Sequence, residues 1–507
     1  MNSQSTSTTS LAWSTGSNDS VDVAGKYYYT GDPDTVKYGT DKCKKNFEVD
    51  AKDQVQTEKT SERRRRLLEQ ALICFLASTG MWTMGSILAF PSVASQDLAA
   101  DNTTIYGSSI TLTRFQLDAL GGLAALGSLP GSWVIGALMA VVGRRFSMVV
   151  IAVTAVLSWL GVALLPSLPG LLVARFVSGA AAGGASVCVN TYRAEISDAE
   201  WRGSLSVIIN LGVQFGQLVT MAVGYHGRYF TVALVNNVIP LVLLLSVIWL
   251  PESPSFLIIK GRDVEARQVL LRLRGQYINL EKEMDAFKEL NNAREKHSVW
   301  QGLRQSQVLK SIVIITVLFS LQSFTGYLVI NSNASRIFAE AASSISNRLC
   351  AIIIIIIQIV AGFTAVFLLD TIGRKKSLIL SFSTMLVALS CMAAFLWVKS
   401  TDAALGVAYG WVPLVCIMTS QAGVTLGVQP VPYLLMGEYF PTWIRSQATS
   451  ICYSLSTLFA FASLQLYTPM LEGLTNPGLY LFYASICLLG IVFTTFFVSE
   501  TMGKKIG

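Results

Sequence analysis

The sequence predicts an all-α membrane protein of twelve spanning helices, built as two six-helix halves that repeat one another. Three observations carry this. Of 507 residues, 52% are hydrophobic and only 14% charged, against about a quarter charged in a typical soluble domain. The charges cluster and leave stretches of about 20 residues almost free of them, the length that crosses a hydrocarbon core of roughly 30 Å. Finally, one set of charged motifs occurs twice.

Residues 1–62 are rich in Ser, Thr, Asp, Lys and Tyr and lack an apolar leader core, which predicts a disordered tail. Arg63-Arg64-Arg65-Arg66 abuts the first apolar run and assigns the N-terminus to the cytoplasm by the positive-inside rule. Spans are expected at 67–91, 115–141, 146–165, 170–191, 204–224, 229–250, 311–331, 349–369, 377–398, 411–436, 446–467 and 478–498. The first six fall in a half spanning 63–250 and the last six in a half spanning 311–498. A charged linker, 251–310, separates them, and a short cytoplasmic tail, 499–507, follows. Within the linker, Val264 to Leu273 and Leu280 to Leu290 read as amphipathic helices on the cytoplasmic face.

The loops assigned to the cytoplasm carry Arg144, Arg145, Arg193, Arg202, Arg374, Lys375, Lys376 and Arg445, whereas the opposite loops are poor in Lys and Arg. The net charge of +7 therefore orients the chain in a bilayer and implies no nucleic acid. Asn102-Thr103-Thr104 is a glycosylation sequon in a loop expected outside. Asn333-Ala334-Ser335 lies too near a span end, and Asn18-Asp19-Ser20 lies in the tail. The eight cysteines have no paired short spacing and fall mostly in apolar runs, so neither disulfides nor a metal site are expected.

The repeated motif begins with Gly143-Arg144-Arg145, continues with Glu195 and Arg202 seven residues apart, and ends at Glu252. Its second copy is Gly373-Arg374-Lys375, then Glu438 and Arg445 again seven apart, then Glu500. A bare charge in hydrocarbon costs a few kcal/mol or more, so these groups must pair or reach water. Arg144, Arg145 and Arg175 are expected to meet Glu195 and Glu252, and Arg374 and Arg445 to meet Glu438, Asp370 and Glu500. Pairs that form when the cytoplasmic side closes and break when it opens would bias a two-state equilibrium. Snorkelling arginines that merely set topology are the plainer alternative for any single residue. Two matched halves around a central site are the build of a secondary transporter. Gly179 and Gly183, and Gly212 and Gly216, stand four apart and predict close helix crossings.

The chain from about 67 to 505 resembles the sugar porter family of the major facilitator superfamily, which includes facilitative glucose transporters and insect trehalose transporters. The resemblance rests on Gly143-Arg144-Arg145, Arg175-x3-Gly179, Tyr192-x2-Glu195, Arg202-Gly203 and Pro251-Glu252-Ser253-Pro254-Ser255-Phe256-Leu257. It rests further on Asp370-x2-Gly373-Arg374-Lys375, on Glu438-Tyr439-Phe440-Pro441-x3-Arg445 and on a worn Glu500-Thr501-x-Gly503. It implies the major facilitator fold and a sugar site in the middle of the bundle. By resemblance, that site would include Gln322 on the seventh helix, Asn210 on the fifth, Tyr433 after Pro430 and Pro432 on the tenth, and Ser456 on the eleventh. Ser323 and Leu328 replace a second Gln and an Asn usual in the family, Ala140 an Asp, and Asn190 a Pro. Gln358, Gln214, Gln217 and Asn331 are further amides able to donate and accept at once, as a sugar requires.

Proton-driven members are expected to carry a carboxylate within the first helix. Here the span 67–91 holds only Glu69, at its edge, so gradient-driven uniport is expected. Gly326, Gly427, Pro430 and Pro432 are candidate gating positions. The expectation is a plasma-membrane carrier of glucose or a related hexose, with both termini cytoplasmic, no cofactor, no metal, and only sugar and lipid as partners. Trehalose or another solute, or a sugar sensor that does not transport, are the competing readings. His226 and His297 both fall in loops with no nucleophile or base grouping, so an enzyme is not expected.

Overall fold

A computed structural model of the protein describes residues 60–101, 103–197, 202–275, 281, 283–285, 287–289, 299–341, 346–401, 409–441 and 444–501, with two short strands before them. The chain divides into two compact units, Met1–Arg63 and Arg64–Gly507. In the first, β1 (Ser20–Val21) pairs antiparallel with β2 (Tyr27–Tyr28). Residues 60–62 of the predicted disordered tail are helical; apart from these and the two strands the tail, with Asn18, lies outside the described residues, as does Asn102.

Among the described residues, twelve long helices follow in the expected order. The first half holds α1 (Thr60–Ala100), α2 (Arg114–Val142), α3 (Arg144–Leu164), α4 (Leu168–Ile196), α5 (Arg202–Gly224) and α6 (Tyr229–Asn236 continued by Val238–Ser246). The second half holds α7 (Ser306–Phe324 continued by Tyr327–Ala341), α8 (Asn347–Thr371), α9 (Arg374–Thr401), α10 (Val412–Tyr439), α11 (Arg445–Gln465) and α12 (Tyr467–Phe497). Among the described residues ten helices are long and apolar enough to cross a membrane. The described apolar part of α5 is Leu211–Gly224. Helix α11 is rich in Ser and Thr because it packs between α2 and α7 and meets protein on both sides.

Local chemistry sets the ends. Thr113 caps α2 in a reciprocal capping box with Gln116, and Ser167 caps α4 with Pro169 in its first turn. Three helices outrun their predicted spans. Helix α1 continues through Pro91 to Ala100, because a proline inside a bundle is tolerated where neighbours satisfy the freed backbone. Helix α7 breaks at Gly326 and resumes to Ala341. Helix α12 starts at Tyr467 and kinks at Thr475, next to Pro477. In the linker, Pro254–Ile259, Asp263–Arg274 and Val299–Leu303 are short helices; the second matches the amphipathic run at Val264 to Leu273. Of the expected run at Leu280 to Leu290, the described residues 281, 283–285 and 287–289 are helical.

Helices α2 and α4 pack most closely in the first half, and α9 with α12 in the second. A methyl at Gly179 or Gly183 would overlap the α2 backbone at Ala124 or Ser128, so both must remain glycine for these helices to touch. The halves meet along two pairs, α2 with α11 and α5 with α8, which are equivalent positions in the repeat. Helix α10 is interrupted by a π segment, Val424–Val428. There the Ser381 hydroxyl of α9 donates to the Gly423 carbonyl (2.5 Å) and accepts from the Val428 N–H (3.0 Å).

Candidate functional site

At one end of the bundle, here the charged end, the two motif copies build the same object. Gly143 and Gly373 adopt positive φ, 96° and 92°, in the left-handed region that favours glycine, and each turns the chain into the next helix. The first N–H groups of that helix then face a carboxylate. Glu252 accepts from the N–H of Arg144 (2.9 Å) and of Arg145 (3.2 Å). Glu500 accepts from Arg374 (3.0 Å) and Lys375 (3.1 Å). A carboxylate at a helix N-terminus satisfies orphan donors and meets the positive end of the helix dipole. The Arg144 guanidinium instead pairs with Glu195 at 2.7 Å, and that of Arg374 with Glu438 at 3.0 Å. Ser253 donates to Glu195 as Thr501 does to Glu438. Arg145 and Lys375 bond carbonyls near the ends of α6 and α12, at Val247 and Ile248 (3.0 and 3.1 Å) and at Thr495 (2.7 Å).

Not every expected member joins. Arg175 lies 20 residues before Glu195 on the same helix, about 30 Å away at 1.5 Å per residue. It is wholly buried, donating to the carbonyls of Leu120 (2.8 Å) and Ile87 (2.9 Å), with its guanidinium over the Phe90 ring. Helical rise separates it from the charged cluster, which corrects the expected pairing. Arg445 donates to the Phe440 carbonyl at 3.1 Å. The side chains of Arg202 and Asp370 lie outside the described residues.

At the opposite end the bonds cross between halves. Asp118 of α2 pairs with Arg336 of α7 at 3.2 Å and accepts from the Thr468 N–H of α12 at 2.9 Å. The Arg336 guanidinium also lies over the Tyr467 ring, 5.0 Å from its centroid. Ser92 of α1 meets Ser335 of α7 (3.1 Å), and Arg348 of α8 donates to the Tyr225 carbonyl at the end of α5 (2.6 Å). Within the first half, Arg228 pairs with Asp97 at 2.8 Å and Asp101 at 2.5 Å. The hydroxyl and backbone N–H of Thr103, and after them Arg228, hold the Asp101 carboxyl below its ordinary range.

Between the ends lies a band of amides. Gln217 and Asn331 line an internal cavity with Ala89, Met221, Ala334, Ala351, Ile354 and Ile355, so it is bordered by helices of both halves. Gln358 donates to Asn331 at 3.1 Å and to Gln421 at 2.8 Å. Gln322 is buried on α7, four residues before the Gly326 break, with its Nε2 unpartnered, and Gln214 carries an unpartnered Oε1. Ser323, also buried, gives its carbonyl to Ser463 (2.7 Å). Tyr433 packs edge-on to Phe319, ring centroids 5.0 Å apart, and Ser456 donates to the Tyr453 carbonyl at 2.9 Å. Gly326, at φ 80°, lies against Tyr483, whose ring a side chain there would strike. Gly427 sits inside the π segment. The Asn210 side chain lies outside the described residues.

Residues 70–506 match the family model described as "Sugar (and other) transporter". The chain belongs to that family. It is 28% identical to the Facilitated trehalose transporter Tret1 of Bombyx mori over 478 residues, covering 94% of this chain and 92% of that relative. It is equally identical to the Tret1 of Aedes aegypti over 440 residues, but spans only 54% of that longer relative. Its fold is that of a solved partially occluded inward open conformation of the xylose transporter XylE from E. coli. The TM-score is 0.72 at 22% identity, over 85% of this chain and 98% of that one. The chain is therefore a multi-pass membrane sugar transporter with the major facilitator fold, as the motifs implied.

Three features had no place in the sequence reading. Arg336 fell beyond the predicted end of the seventh span, so its pairing with Asp118 was not foreseen. Asp97 belongs to the last turn of α1 and not to a loop. The third is Gln421, an amide inside an apolar run, which accepts from Gln358.

Proposed function

We propose that this transporter is a gradient-driven carrier of a neutral sugar, glucose or a related hexose, working by alternating access. The observation that carries the reading is the amide band, which offers donors and acceptors and no formal charge beside a broken helix. Uncharged hydroxyls are bound by such groups, whereas a charged substrate would leave its charge desolvated and unpaired. Uniport is supported by the surroundings of Arg175. It meets carbonyls, a hydroxyl and a ring, and no carboxylate pairs with it among the described residues. The carboxylates of α1 are Glu62 and Glu69, the latter paired with Arg272, towards one end and Asp97, paired with Arg228, towards the other. A trehalose substrate is the second reading, favoured by the names of the insect relatives and by the loss of two amide positions at Ser323 and Leu328.

The cross-half bonds at the Asp118 end support a state closed on that side. Lysine and arginine bias supports a cytoplasmic charged end, with both termini on that side and Asn102 outside, in a carrier we place in the plasma membrane. The test is uptake of labelled glucose and labelled trehalose in cells lacking their own sugar carriers, with Gln322→Ala and a proton uncoupler. Saturable uptake lost in the variant and indifferent to the uncoupler is expected. No uptake of either sugar by surface-delivered protein would overturn the reading.

A further inference from the structure

We infer that Gln421 is a positioning residue that sets the hydrogen-bonding polarity of the sugar site, acting through Gln358 and Asn331 without touching substrate. Gln421 is fully buried on α10. Its Nε2 donates to the main-chain carbonyl of Tyr327 at 3.4 Å, and its Oε1 accepts from Gln358 Nε2 at 2.8 Å. The second hydrogen of that nitrogen goes to Asn331 Oδ1 at 3.1 Å.

A carbonyl oxygen can only accept, so Tyr327 fixes which end of the Gln421 amide faces it. Gln421 must then turn its oxygen to Gln358, and Gln358 must answer with its nitrogen. Both Gln358 hydrogens are consumed, and Asn331 is turned so that its oxygen is consumed too. Two polar atoms of the chain remain uncommitted, the Asn331 NH2 and the Gln358 oxygen. Asn331 lines the cavity. The site thus presents a donor beside an acceptor, a set that reads neighbouring sugar hydroxyls in opposite senses. One hydroxyl must accept, from Asn331, and one must donate, to Gln358. Without Gln421, the Gln358 amide is free to turn over and the distinction is lost.

This inference rests on the sugar-carrier reading above. The experiment uses the full chain and measures inhibition of sugar uptake by deoxy and deoxyfluoro analogues at each ring position. Fluorine accepts weakly and cannot donate. In the wild type, the deoxyfluoro sugar should fail as badly as the deoxy sugar at the position facing Gln358. At the position facing Asn331 it should bind about fivefold better than the deoxy sugar, the worth of one neutral hydrogen bond. Gln421→Met should erase that contrast to within about twofold, and should add nothing to Gln358→Met in the double variant. Gln421→Glu keeps an oxygen facing Gln358 and should retain the contrast, which also serves if the Met variant fails to fold. A wild-type analogue pattern in Gln421→Met, or loss of the contrast in Gln421→Glu, would overturn the assignment. Absence of any sugar uptake by the wild type would instead bring down the carrier reading, and this assignment with it.

Discussion

The two ends of the bundle are held by different logic. At the charged end, each half ties its own helices with a copy of the same set: a glycine turn, a carboxylate on the next helix's N–H groups, an Arg–Glu pair and a hydroxyl on that Glu. At the opposite end no such set recurs among the described residues. Asp118 and Arg336 come from different positions in their halves, and their ion pair joins one half to the other. The repeated polar set ties each half within itself, whereas the Asp118–Arg336 pair, which is not repeated, ties one half to the other.

The comparison breaks most severely if a motif copy is removed. Arg144→Ala leaves the largely buried Glu195 without its cation, and removing one partner of a buried pair costs about 3–5 kcal/mol at full burial and less here. Surface delivery and uptake should both collapse; Arg374→Ala should do the same, and normal delivery of either variant would show that the copies are dispensable. Gly326→Ala comes next, because it places a methyl against the Tyr483 ring at a backbone angle that alanine avoids. A roughly tenfold fall in maximal uptake with preserved surface protein is the expected signature.

Asp118→Asn sharpens the contrast directly. Weakening a bond found only in one state shifts the populations toward the other. The half-saturation values for uptake and exit should move in opposite directions, each by a few-fold. Their equilibrium relation should be unchanged, because a gradient-driven carrier cannot favour one direction. Exchange of the two charges, Asp118→Arg with Arg336→Asp, should restore part of the shift. Equal changes in both half-saturation values would show a general loss of stability. The smallest effect concerns Asp101. Its lowered carboxyl contributes stability above its unfolded range, near pH 4, and loses it only as pH falls through the folded value. Melting of the purified protein should show no pH dependence from this group between pH 5 and 8. Below about pH 4, Asp101→Asn should lose less stability than wild type.

The charged end was readable because its parts are short motifs whose chemistry is local: glycine for a positive φ, Glu for helix N–H groups, Arg for Glu. The helices were readable from apolar length. Misreadings arose where tertiary packing overrode local signals. Pro91 suggested an end to α1, but neighbouring helices carry it onward. Gly326 was recognised as a weak point, yet the resumption of α7 beyond it, and so the reach of Arg336, depends on packing. Arg175 belongs to a family motif with the cytoplasmic residues, but the 20 residues between it and Glu195 on one helix put it far from them. At the candidate site the individual amides stood out against an apolar background. The order in which they bond to one another is a property of facing helices, which a single chain pattern does not contain.

The Ser381 hydroxyl has a consequence for how α10 bends. In the π segment the backbone ladder is out of step, and Gln429 reaches back to the Val424 carbonyl. Ser381 stitches the gap from the neighbouring helix, taking one backbone group on each side of it. The stiffness of α10 at its weakest point is thereby lent by α9. A helix mended in this way can flex only as far as its neighbour follows, so the tyrosine and prolines beyond the seam travel with α9 as one piece. Ser381→Ala would unpick that stitch and let the lower part of α10 swing on its own.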